Sequence, residues 1–270
     1  MDAKFTRLTE ILRQSDQILV AFSAGVDSTF LLKAAHLALG DGVVALTASS
    51  ASVPPGELDA AKSFAASLGC RHIVLDSHEI DNPVYAQNPV NRCFFCKDEL
   101  YRICRAQAEK LGLATIVDGT NLDDLKDHRP GLQAAEQWRI RHPLVEAGMI
   151  KDDIRRYSRE LNLPTWDKPS SPCLSSRFPY GTAIDVDKLK KVGACEVFLK
   201  GLGFREFRVR YHGDLARIEV NPDEIDRLFD QTIRDAIVKR FKDVGFRFVS
   251  LDLQGFRSGS LNEGLKAPAH

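Results

Sequence analysis

The sequence has no excess of charge and no long apolar run. Its 37 lysines and arginines balance 37 aspartates and glutamates over 270 residues, so no overall field attracts a polyanion. No apolar stretch approaches the length that crosses a bilayer, and residues 1–17 lack the apolar core of a signal peptide. We therefore expect a cytoplasmic protein that has no membrane partner and for which nucleic acid is a disfavoured partner.

Cysteine is also scarce, and its spacing argues against a disulfide framework. In a cytoplasmic chain, cysteines indicate thiols, metal ligands or catalytic groups. Cys93 and Cys96 form a Cys-x2-Cys unit, yet no second unit or Cys/His pair completes a zinc site. No thioredoxin-like pattern surrounds the unit either. Cys70, Cys104 and Cys195 fall in helical or strand-edge patterns, where we expect packed small hydrophobic side chains.

Cys173 is the natural third partner of Cys93 and Cys96. It stands in a loop rich in proline and serine beside Arg177, and a nearby guanidinium favours the thiolate. Three thiolates on a [4Fe–4S] cluster leave one iron open for a substrate or a sulfide. We predict that Cys93, Cys96 and Cys173 ligate such a cluster. The alternatives are a nucleophilic Cys173 with a structural Cys93–Cys96 pair, half of a zinc site, or a redox dithiol.

The hydrophobic pattern predicts a parallel sheet within residues 17–164. Nearly continuous apolar runs, typical of strands buried on both faces, alternate with amphipathic helical stretches. Strands are predicted at Ile18–Phe22, Val43–Ala48, His72–Asp76 and Thr115–Asp118, and helices at Thr29–Leu39, Glu57–Leu68, Asp98–Leu111 and Asp152–Leu161. The predicted fold class is α/β with a doubly wound parallel sheet. Ligands of such sheets bind at the carboxyl ends of the strands, where Ser23–Ser28, Ser49-Ser50 and Asp118–Asn121 lie.

The remaining chain indicates a smaller C-terminal α+β domain. Its predicted elements are a helix at Asp185–Leu202, alternating strands at Glu206–Tyr211 and Leu215–Val220, helices near Pro222–Phe229 and Ile233–Lys242, and a strand at Phe246–Leu253. We divide the chain into a first domain at 1–166, a linker loop at 167–182 that carries Cys173, and a second domain at 183–270. Arg208 and Arg210 share one strand face, which either binds an anion or is solvated.

The turn Ser23-Ala24-Gly25-Val26-Asp27-Ser28 joins the first predicted strand to the next helix. Small residues leave backbone N–H groups uncovered there, and the helix start adds the positive end of its dipole. We therefore predict a phosphate site. Asp27 would repel phosphate unless a divalent cation lies between them, which implies Mg²⁺. The alternative is an ordinary turn in which Asp27 or Ser28 only caps the helix.

This turn resembles the PP-loop of ATP pyrophosphatases, which cleave ATP between its α and β phosphates. It differs from the P-loop of kinases and GTPases because no lysine follows the glycine. Nearly end to end, the chain is similar to the LarE family of ATP-dependent sulfur transferases within that superfamily. The shared segments are Ser23–Ser28, Val117–Asn121, Asp127–Leu132, Cys173–Gly181, Phe207–Tyr211 and Leu251–Gly259. The family usually has glycine where this chain has Ala24, so a positive φ there would strain the alanine.

The resemblance implies a PP-loop ATPase fold, adenine nucleotide α-hydrolase-like, that acts on pyridinium-3,5-biscarboxylic acid mononucleotide. ATP adenylates a carboxylate with release of pyrophosphate, and a sulfur nucleophile then displaces AMP. The thiocarboxylate product leads to the nickel-pincer nucleotide cofactor of lactate racemase. Some family members resemble a type that sacrifices one cysteine sulfur, and others hold a [4Fe–4S] cluster on three cysteines. Cys93 and Cys96 beside Cys173 place this chain with the second type, with sacrifice of Cys173 as the alternative.

The resemblance also implies roles for individual residues. The residues expected to bind ATP, AMP, pyrophosphate and Mg²⁺ are Ser23, Gly25, Val26, Asp27, Ser28, Ser49 and Gly119, with Asp27, Ser28 and Cys173 as catalytic residues. Arg177, Arg208 and Arg210 would bind substrate carboxylate and phosphate, which guanidinium forks match. Glu196 and Glu219 match acidic positions associated with metal at subunit contacts, although most surface glutamates bind nothing. Relatives form hexamers, so we expect a homo-oligomer, together with a sulfide donor as partner.

Two other functions remain as alternatives. A tRNA thiolase would share the PP-loop and a three-cysteine cluster, but the balanced charge and the lack of a basic arm or zinc ribbon argue against it. A non-catalytic nucleotide sensor would bind ATP or AMP without releasing pyrophosphate. That function gives no reason for the three cysteines.

Overall fold

The structure is a computed structural model that describes residues 2–126 and 130–265. The motif residues Asp127, His128 and Arg129 lie outside the described residues. The chain divides into two compact units. The first unit lies within Met1–Ser50, Gly56–Tyr85 and Val90–Ser170, and the second within Ala51–Pro55, Ala86–Pro89 and Ser171–His270. No helix in the described residues is long and apolar enough to span a bilayer.

The first unit is built on four parallel strands. These are β1 (Ile18–Ala21), β2 (Val43–Ser49), β3 (Arg71–Asp76) and β4 (Thr115–Asp118), in the spatial order β3-β2-β1-β4. The helices are α1 (Ala3–Leu12), α2 (Val26–Leu39), α3 (Glu57–Leu68), α4 (Pro83–Ala86, whose last residue belongs to the second unit), α5 (Arg92–Leu111), α6 (Pro130–Gln137), α7 (Pro143–Glu146) and α8 (Lys151–Glu160). Short 3-10 segments lie at Gly40–Gly42, Glu79–Asp81 and Leu122–Lys126.

Both faces of this sheet are buried. Ile18 and Val20 of β1 enter one apolar core with residues of α1, α2 and α8, whereas Leu19 and Ala21 enter a second core with residues of α5 and α6. Alternate residues of β2 divide between the two cores in the same way. This arrangement confirms the predicted α/β fold class with a doubly wound parallel sheet.

The second unit contains a smaller mixed sheet. Strand β5 (Phe207–His212) pairs antiparallel with β6 (Leu215–Val220), and β6 pairs parallel with β7 (Phe248–Leu251). The helices are α9 (Val186–Gly201) and α10 (Gln231–Asp243), with 3-10 segments at Leu174–Arg177, Pro222–Phe229 and Ser260–Leu265. The smaller α+β domain of the predicted fold class is therefore confirmed. The helix predicted near Pro222–Phe229 is a 3-10 helix instead.

Helix α5 begins six residues earlier than the predicted Asp98, at Arg92. Its N-cap residue, Asn91, makes no hydrogen bond from its side chain to the helix, so the usual signal for a helix start is weak here. Cys93 and Cys96 consequently lie in the first two turns of a 20-residue helix rather than in a loop.

Strand order places the first strand–helix turn beside the end of β4. The chain runs from β1 outward through β2 to β3, and then returns to the other side of β1 as β4. Ligands of open α/β sheets bind at such a reversal. Gly119, directly after β4, packs on the start of α2: a Cβ atom there would lie 2.8 Å from the Ser28 nitrogen and 3.1 Å from the Asp27 carbonyl carbon. Only glycine fits this approach, because both neighbours are backbone atoms.

We predict that Gly119→Ala lowers the free energy of unfolding by about 2 kcal/mol, because the added methyl group forces two backbone segments apart. Urea denaturation followed by far-UV circular dichroism measures this change. The matched control is Gly201→Ala, where a Cβ meets no atom within 4 Å on helix α9, so stability should stay equal or rise. Equal effects of the two substitutions would show that the Gly119 contact does not constrain the fold.

Candidate functional site

The predicted phosphate loop is a turn that no side chain caps. Gly25, which has no side chain, is the N-cap of α2, so neither Asp27 nor Ser28 is the cap residue, and phosphate binding by the turn stays a prediction. Ser28 donates its Oγ–H to the Gly25 carbonyl at 3.3 Å and lies 3.1 Å from the Ser23 Oγ. The first N–H groups of a helix have no intrahelical acceptor, so those of this turn suit phosphate oxygens.

Ala24 holds the strained backbone that the sequence suggested. Its φ is +55°, in the left-handed region that costs an alanine about 1 kcal/mol relative to glycine. Lys168 supports this turn, because its Nζ donates to the Ala24 carbonyl at 3.0 Å and to Glu57 Oε2 at 2.6 Å. The contact with Ala24 joins residues 144 positions apart, so no local pattern in the sequence indicates it.

Asp27 has one occupied and one orphaned carboxylate oxygen. Its Oδ2 accepts a hydrogen bond from Lys151 Nζ at 2.6 Å, whereas Oδ1 is buried without a hydrogen-bond partner. Burial raises the pKa of Asp27 above its ordinary value, although the Lys151 ammonium works in the opposite direction. A carboxylate oxygen without a hydrogen-bond partner beside the predicted phosphate loop fits a site for Mg²⁺, which prefers oxygen ligands.

Asp118 anchors the end of β4 next to this turn. Its carboxylate accepts from the Tyr101 hydroxyl at 2.6 Å, lies 2.6 Å from His142 Nδ1, and accepts from the Thr120 N–H at 3.1 Å. Burial alone would raise the pKa of Asp118, but His142, Lys97 and Tyr101 hold it well below its usual range. These contacts hold the backbone of Asp118 in place, and with it the position of the next residue, Gly119.

Two of the predicted cluster ligands, Cys93 and Cys96, lie near the start of α5, the helix that also carries Tyr101. Cys93 is exposed and Cys96 is half-buried, one helical turn apart. Lys97 Nζ lies 5.2 Å from the centre of the Tyr101 ring. Burial would lower the pKa of Lys97, but electrostatic interactions with Tyr101, Asp118 and Cys96 raise this pKa above its ordinary value. Two thiols spaced in this way on one helix suit part of the donor set of an iron–sulfur cluster.

The other cysteines behave as packed side chains, as expected. Cys70, Cys104 and Cys195 are buried. Burial raises the pKa values of Cys104 and Cys195 to about 12, so neither is a thiolate at neutral pH.

The predicted adenosine contacts lie at the ends of β2 and β4, two strands that are not neighbours because β1 lies between them. Ser49 ends β2, is half-buried, and accepts a hydrogen bond from the Ser77 N–H on its carbonyl at 2.8 Å. The buried Glu79 accepts hydrogen bonds from the hydroxyls of Ser50 and Ser77, each at 2.6 Å. Glycine is required at position 119 by its close packing against the start of α2, whether or not it contacts adenosine. Adenosine binding by Ser49 and Gly119 stays a prediction.

In the second unit, Arg177 holds the segment that carries Cys173. Its Nε and Nη2 donate to the two carboxylate oxygens of Glu196 at 2.8 and 2.9 Å. Its Nη1 lies 3.1 Å from the Pro172 carbonyl, 3.3 Å from the Cys173 carbonyl and 2.7 Å from Ser176 Oγ. Arg177 is 1% exposed, so its guanidinium is engaged on every side by the protein. This geometry positions the half-buried Cys173.

Arg208 and Arg210 do not form a solvated strand face, since both are buried. Arg210 donates from Nε and Nη2 to Glu219 at 2.9 and 2.7 Å, and from Nη1 to the Ser176 carbonyl at 2.8 Å. The guanidinium of Arg208 lies over the Phe256 ring, 4.7 Å from its centre. Burial, together with Arg177 and Arg210, lowers the pKa of Arg208 to about 10.

Glu196 and Glu219 are likewise buried and paired, not surface glutamates. Besides Arg177, Glu196 accepts a hydrogen bond from the Val209 N–H at 3.0 Å. In residues 2–126 and 130–265, no three His, Cys, Asp or Glu side chains form a group that could hold a metal ion. Cys93 and Cys96 belong to the first unit and Cys173 to the second, so their ligation of one cluster stays a prediction.

Comparison with known proteins decides the family. The chain is 37% identical over 263 residues to pyridinium-3,5-bisthiocarboxylic acid mononucleotide synthase of Lactiplantibacillus plantarum, covering 97% of this chain and 95% of that protein. The chain belongs to the LarE family. It is also 44% identical over 265 residues to an uncharacterized protein of Synechocystis sp., covering 98% of this chain and 99% of the relative. An uncharacterized protein of Methanocaldococcus jannaschii is 36% identical over 172 residues, 64% of this chain and 66% of the relative. No protein-family profile matches the chain.

The sequence pattern does not indicate the roles of four residues at this site: Lys151, Lys168, Asp118 as an anchor, and Glu79. Asp118 and Glu79 are acidic residues at or just after strand ends, which is a weak signal that many surface residues share. Lys151 and Lys168 act on the PP-loop from more than 120 positions away, which only the fold reveals.

We predict that Arg177→Met lowers the free energy of unfolding by about 3 to 5 kcal/mol, because it leaves Glu196 buried without its cation. The double variant Arg177→Met/Glu196→Leu should recover part of this loss. The single variant should also speed alkylation of Cys173, measured by mass spectrometry under conditions in which the protein is folded.

The matched control is Arg247→Met, which removes the exposed Arg247–Asp214 pair of the same unit and should change stability by less than about 1 kcal/mol. Alkylation of Cys173 at the wild-type rate in folded Arg177→Met would contradict the positioning role of Arg177.

Proposed function

We propose that this LarE-family protein is an ATP-dependent sulfur transferase that converts the carboxylates of pyridinium-3,5-biscarboxylic acid mononucleotide into thiocarboxylates. The observation that carries the proposal is the similarity, over 97% of the chain, to a pyridinium-3,5-bisthiocarboxylic acid mononucleotide synthase. The uncapped turn at the sheet reversal and the orphaned oxygen of Asp27 support the use of ATP with Mg²⁺. The product would serve nickel-pincer nucleotide biosynthesis for lactate racemase in the cytoplasm.

The first half-reaction activates the substrate. A substrate carboxylate attacks the α-phosphorus of ATP, the bond to the bridging oxygen breaks, and pyrophosphate leaves with the negative charge. Backbone N–H groups at Gly25, Val26 and Asp27, with the hydroxyls of Ser23 and Ser28, would stabilise that charge. Mg²⁺, held by Asp27, would neutralise pyrophosphate where the carboxylate would otherwise repel it. Ser49 and Gly119 would contact adenosine.

The second half-reaction replaces AMP with sulfur. Cys93, Cys96 and Cys173 would hold a [4Fe–4S] cluster, which supplies sulfide when it is bound. Arg177 donates to the carbonyl oxygens of Pro172 and Cys173, so the backbone that carries the Cys173 side chain is held in place. Such an arrangement would allow repeated turnover with an external sulfide donor, whereas sacrifice of the Cys173 sulfur would allow one. Sacrifice remains the alternative for this step.

The substrate's anionic groups would meet the buried arginines of the second unit. Arg177, Arg208 and Arg210 are buried, and Arg177 and Arg210 are paired with the buried glutamates Glu196 and Glu219. The forks of Arg177 and Arg210 already hold carboxylates, so their contribution to substrate binding would be mainly electrostatic. A homo-oligomer, such as a hexamer, is part of the proposal.

The two half-reactions separate the roles of Asp27 and Cys173. We expect Asp27→Asn to reduce substrate-dependent pyrophosphate release by at least about 100-fold, because the metal loses its carboxylate. Cys173→Ala should release pyrophosphate at close to the wild-type rate and incorporate no sulfur. Pyrophosphate is measured by a coupled assay and sulfur incorporation by mass spectrometry of the substrate.

The control for this experiment is Asp41→Asn, in a 3-10 segment of the first unit away from the turn, which should be fully active. Normal pyrophosphate release by folded Asp27→Asn would contradict the role of the phosphate loop. Release that depends on tRNA instead of the pyridinium mononucleotide would favour the tRNA thiolase. Dehydroalanine at Cys173 after one turnover would favour sacrifice, and binding without any release would favour a nucleotide sensor.

We predict that anaerobic reconstitution with iron and sulfide gives a [4Fe–4S] signal by Mössbauer spectroscopy in the wild type and loses it in Cys93→Ala. The matched control is Cys104→Ala on the same helix, because Cys104 is buried and should leave the signal intact. Assembly of the same cluster in Cys93→Ala would contradict the ligand assignment.

A further inference from the structure

The carboxylate of Asp27 already holds one cation, the ammonium of Lys151, at the place where a metal ion is expected. Its Oδ1 is buried, and its Oδ2 is held by Lys151 Nζ at 2.6 Å. The two side chains are 23% and 37% exposed, so solvent and a ligand reach this ion pair. A divalent cation on either oxygen of Asp27 would lie close to the Lys151 ammonium, so the two cations compete for one carboxylate.

Lys151 has a fixed backbone and an adaptable side chain. It is the first residue of helix α8, and its N–H donates to Asp123 Oδ2 at 2.9 Å. The Leu122 N–H donates to the Met149 carbonyl at 3.0 Å, which ties the same two segments together. The four carbons of the lysine side chain are joined by rotatable bonds, so the ammonium can move several ångströms while the backbone stays in place.

The negative charges around Asp27 favour keeping the Lys151 ammonium close to the turn even when its hydrogen-bond partner changes. Asp124 adds a second negative charge near Asp27 and raises its pKa further. Pyrophosphate with one Mg²⁺ still carries net negative charge, so on the loop it would offer the ammonium a second anionic partner. The sequence has no lysine inside the turn itself. Lys151 supplies that charge from 124 residues away.

We propose that Lys151 is a movable cation of the phosphate loop: it neutralises Asp27 in the absence of nucleotide and transfers to a pyrophosphate oxygen when Mg²⁺ binds Asp27. The proposal rests on the proposed function, because it assumes that the loop binds ATP. It assigns Lys151 two partners in succession, and therefore predicts opposite effects of its removal on metal binding and on nucleotide binding.

The experiment measures both affinities in full-length Lys151→Met. Mn²⁺, a hard cation that prefers oxygen ligands, serves as the metal probe and is followed by electron paramagnetic resonance without nucleotide. We expect Mn²⁺ to bind about tenfold more tightly to Lys151→Met than to the wild type, because its competitor is gone. We expect a non-hydrolysable ATP analogue with Mg²⁺ to bind about tenfold more weakly by calorimetry, because one charge-assisted contact with phosphate is lost.

Three variants make these shifts specific. Lys4→Met removes a lysine–aspartate pair at the start of the same helix α8, with Asp153, and should change neither affinity. Lys151→Arg keeps the charge and should recover most of the nucleotide affinity. Adding Asp27→Asn to Lys151→Met should abolish the gain in Mn²⁺ affinity. Unchanged Mn²⁺ affinity, or unchanged or tighter nucleotide binding, in folded Lys151→Met would overturn the proposal.

Failure of the proposed function gives a different result. If the wild type binds the ATP analogue and never releases pyrophosphate from ATP, the enzymatic proposal fails while the opposite shifts can still be observed. If the wild type releases pyrophosphate and Lys151→Met shows neither shift, the role of Lys151 fails alone.

Discussion

The close approach between Gly119 and the backbone of Ser28 constrains the geometry of the first unit's site. It joins the end of β4 to the start of α2 at the place where the strand order reverses. Asp118, one residue earlier, is fixed by Tyr101 and His142, so the glycine meets α2 from a rigid position. The N–H groups predicted to bind phosphate lie at this packed turn, and the ion pair between Asp27 and Lys151 lies beside them.

In the second unit, buried ion pairs hold the loop that carries Cys173. Arg177 and Arg210 are buried, and each is paired with a glutamate through two hydrogen bonds. The Nη1 group of each arginine binds carbonyl or hydroxyl oxygens of the segment Pro172–Ser176, and Nη2 of Arg210 also donates to Ser260 Oγ. Buried ion pairs of this kind add little net stability compared with apolar packing, but they impose one geometry. The benefit here is a fixed loop around Cys173.

The sequence predicted the fold well because the fold follows from local periodicity. Strand β4 at Thr115–Asp118 and helix α3 at Glu57–Leu68 have the predicted bounds, since buried strands read as continuous apolar runs and α3 ends at Gly69 in the left-handed conformation. The start of α5 was missed because Asn91 does not cap it and Cys93–Cys96 carry no helix signal. The strain at Ala24 was anticipated from the glycine expected there and confirmed by its positive φ.

The site was predicted less completely, for a physical reason. Alternation on β5 placed Arg208 and Arg210 on one face, but burial of that face depends on Glu196 and Glu219, which belong to α9 and β6. The partners of Asp27 and Ala24, Lys151 and Lys168, likewise come from distant segments. Such pairings depend on tertiary structure, so a motif identifies the loop but not the charges that complete it.

A crystal structure of the protein with Mg²⁺ and a non-hydrolysable ATP analogue tests the central claim most directly. We expect the β- and γ-phosphates against the N–H groups of Gly25, Val26 and Asp27, the metal on Asp27, and Lys151 displaced from Asp27 onto a phosphate oxygen. Nucleotide bound away from this turn, or bound there with the Lys151–Asp27 pair intact and no metal on Asp27, would contradict it.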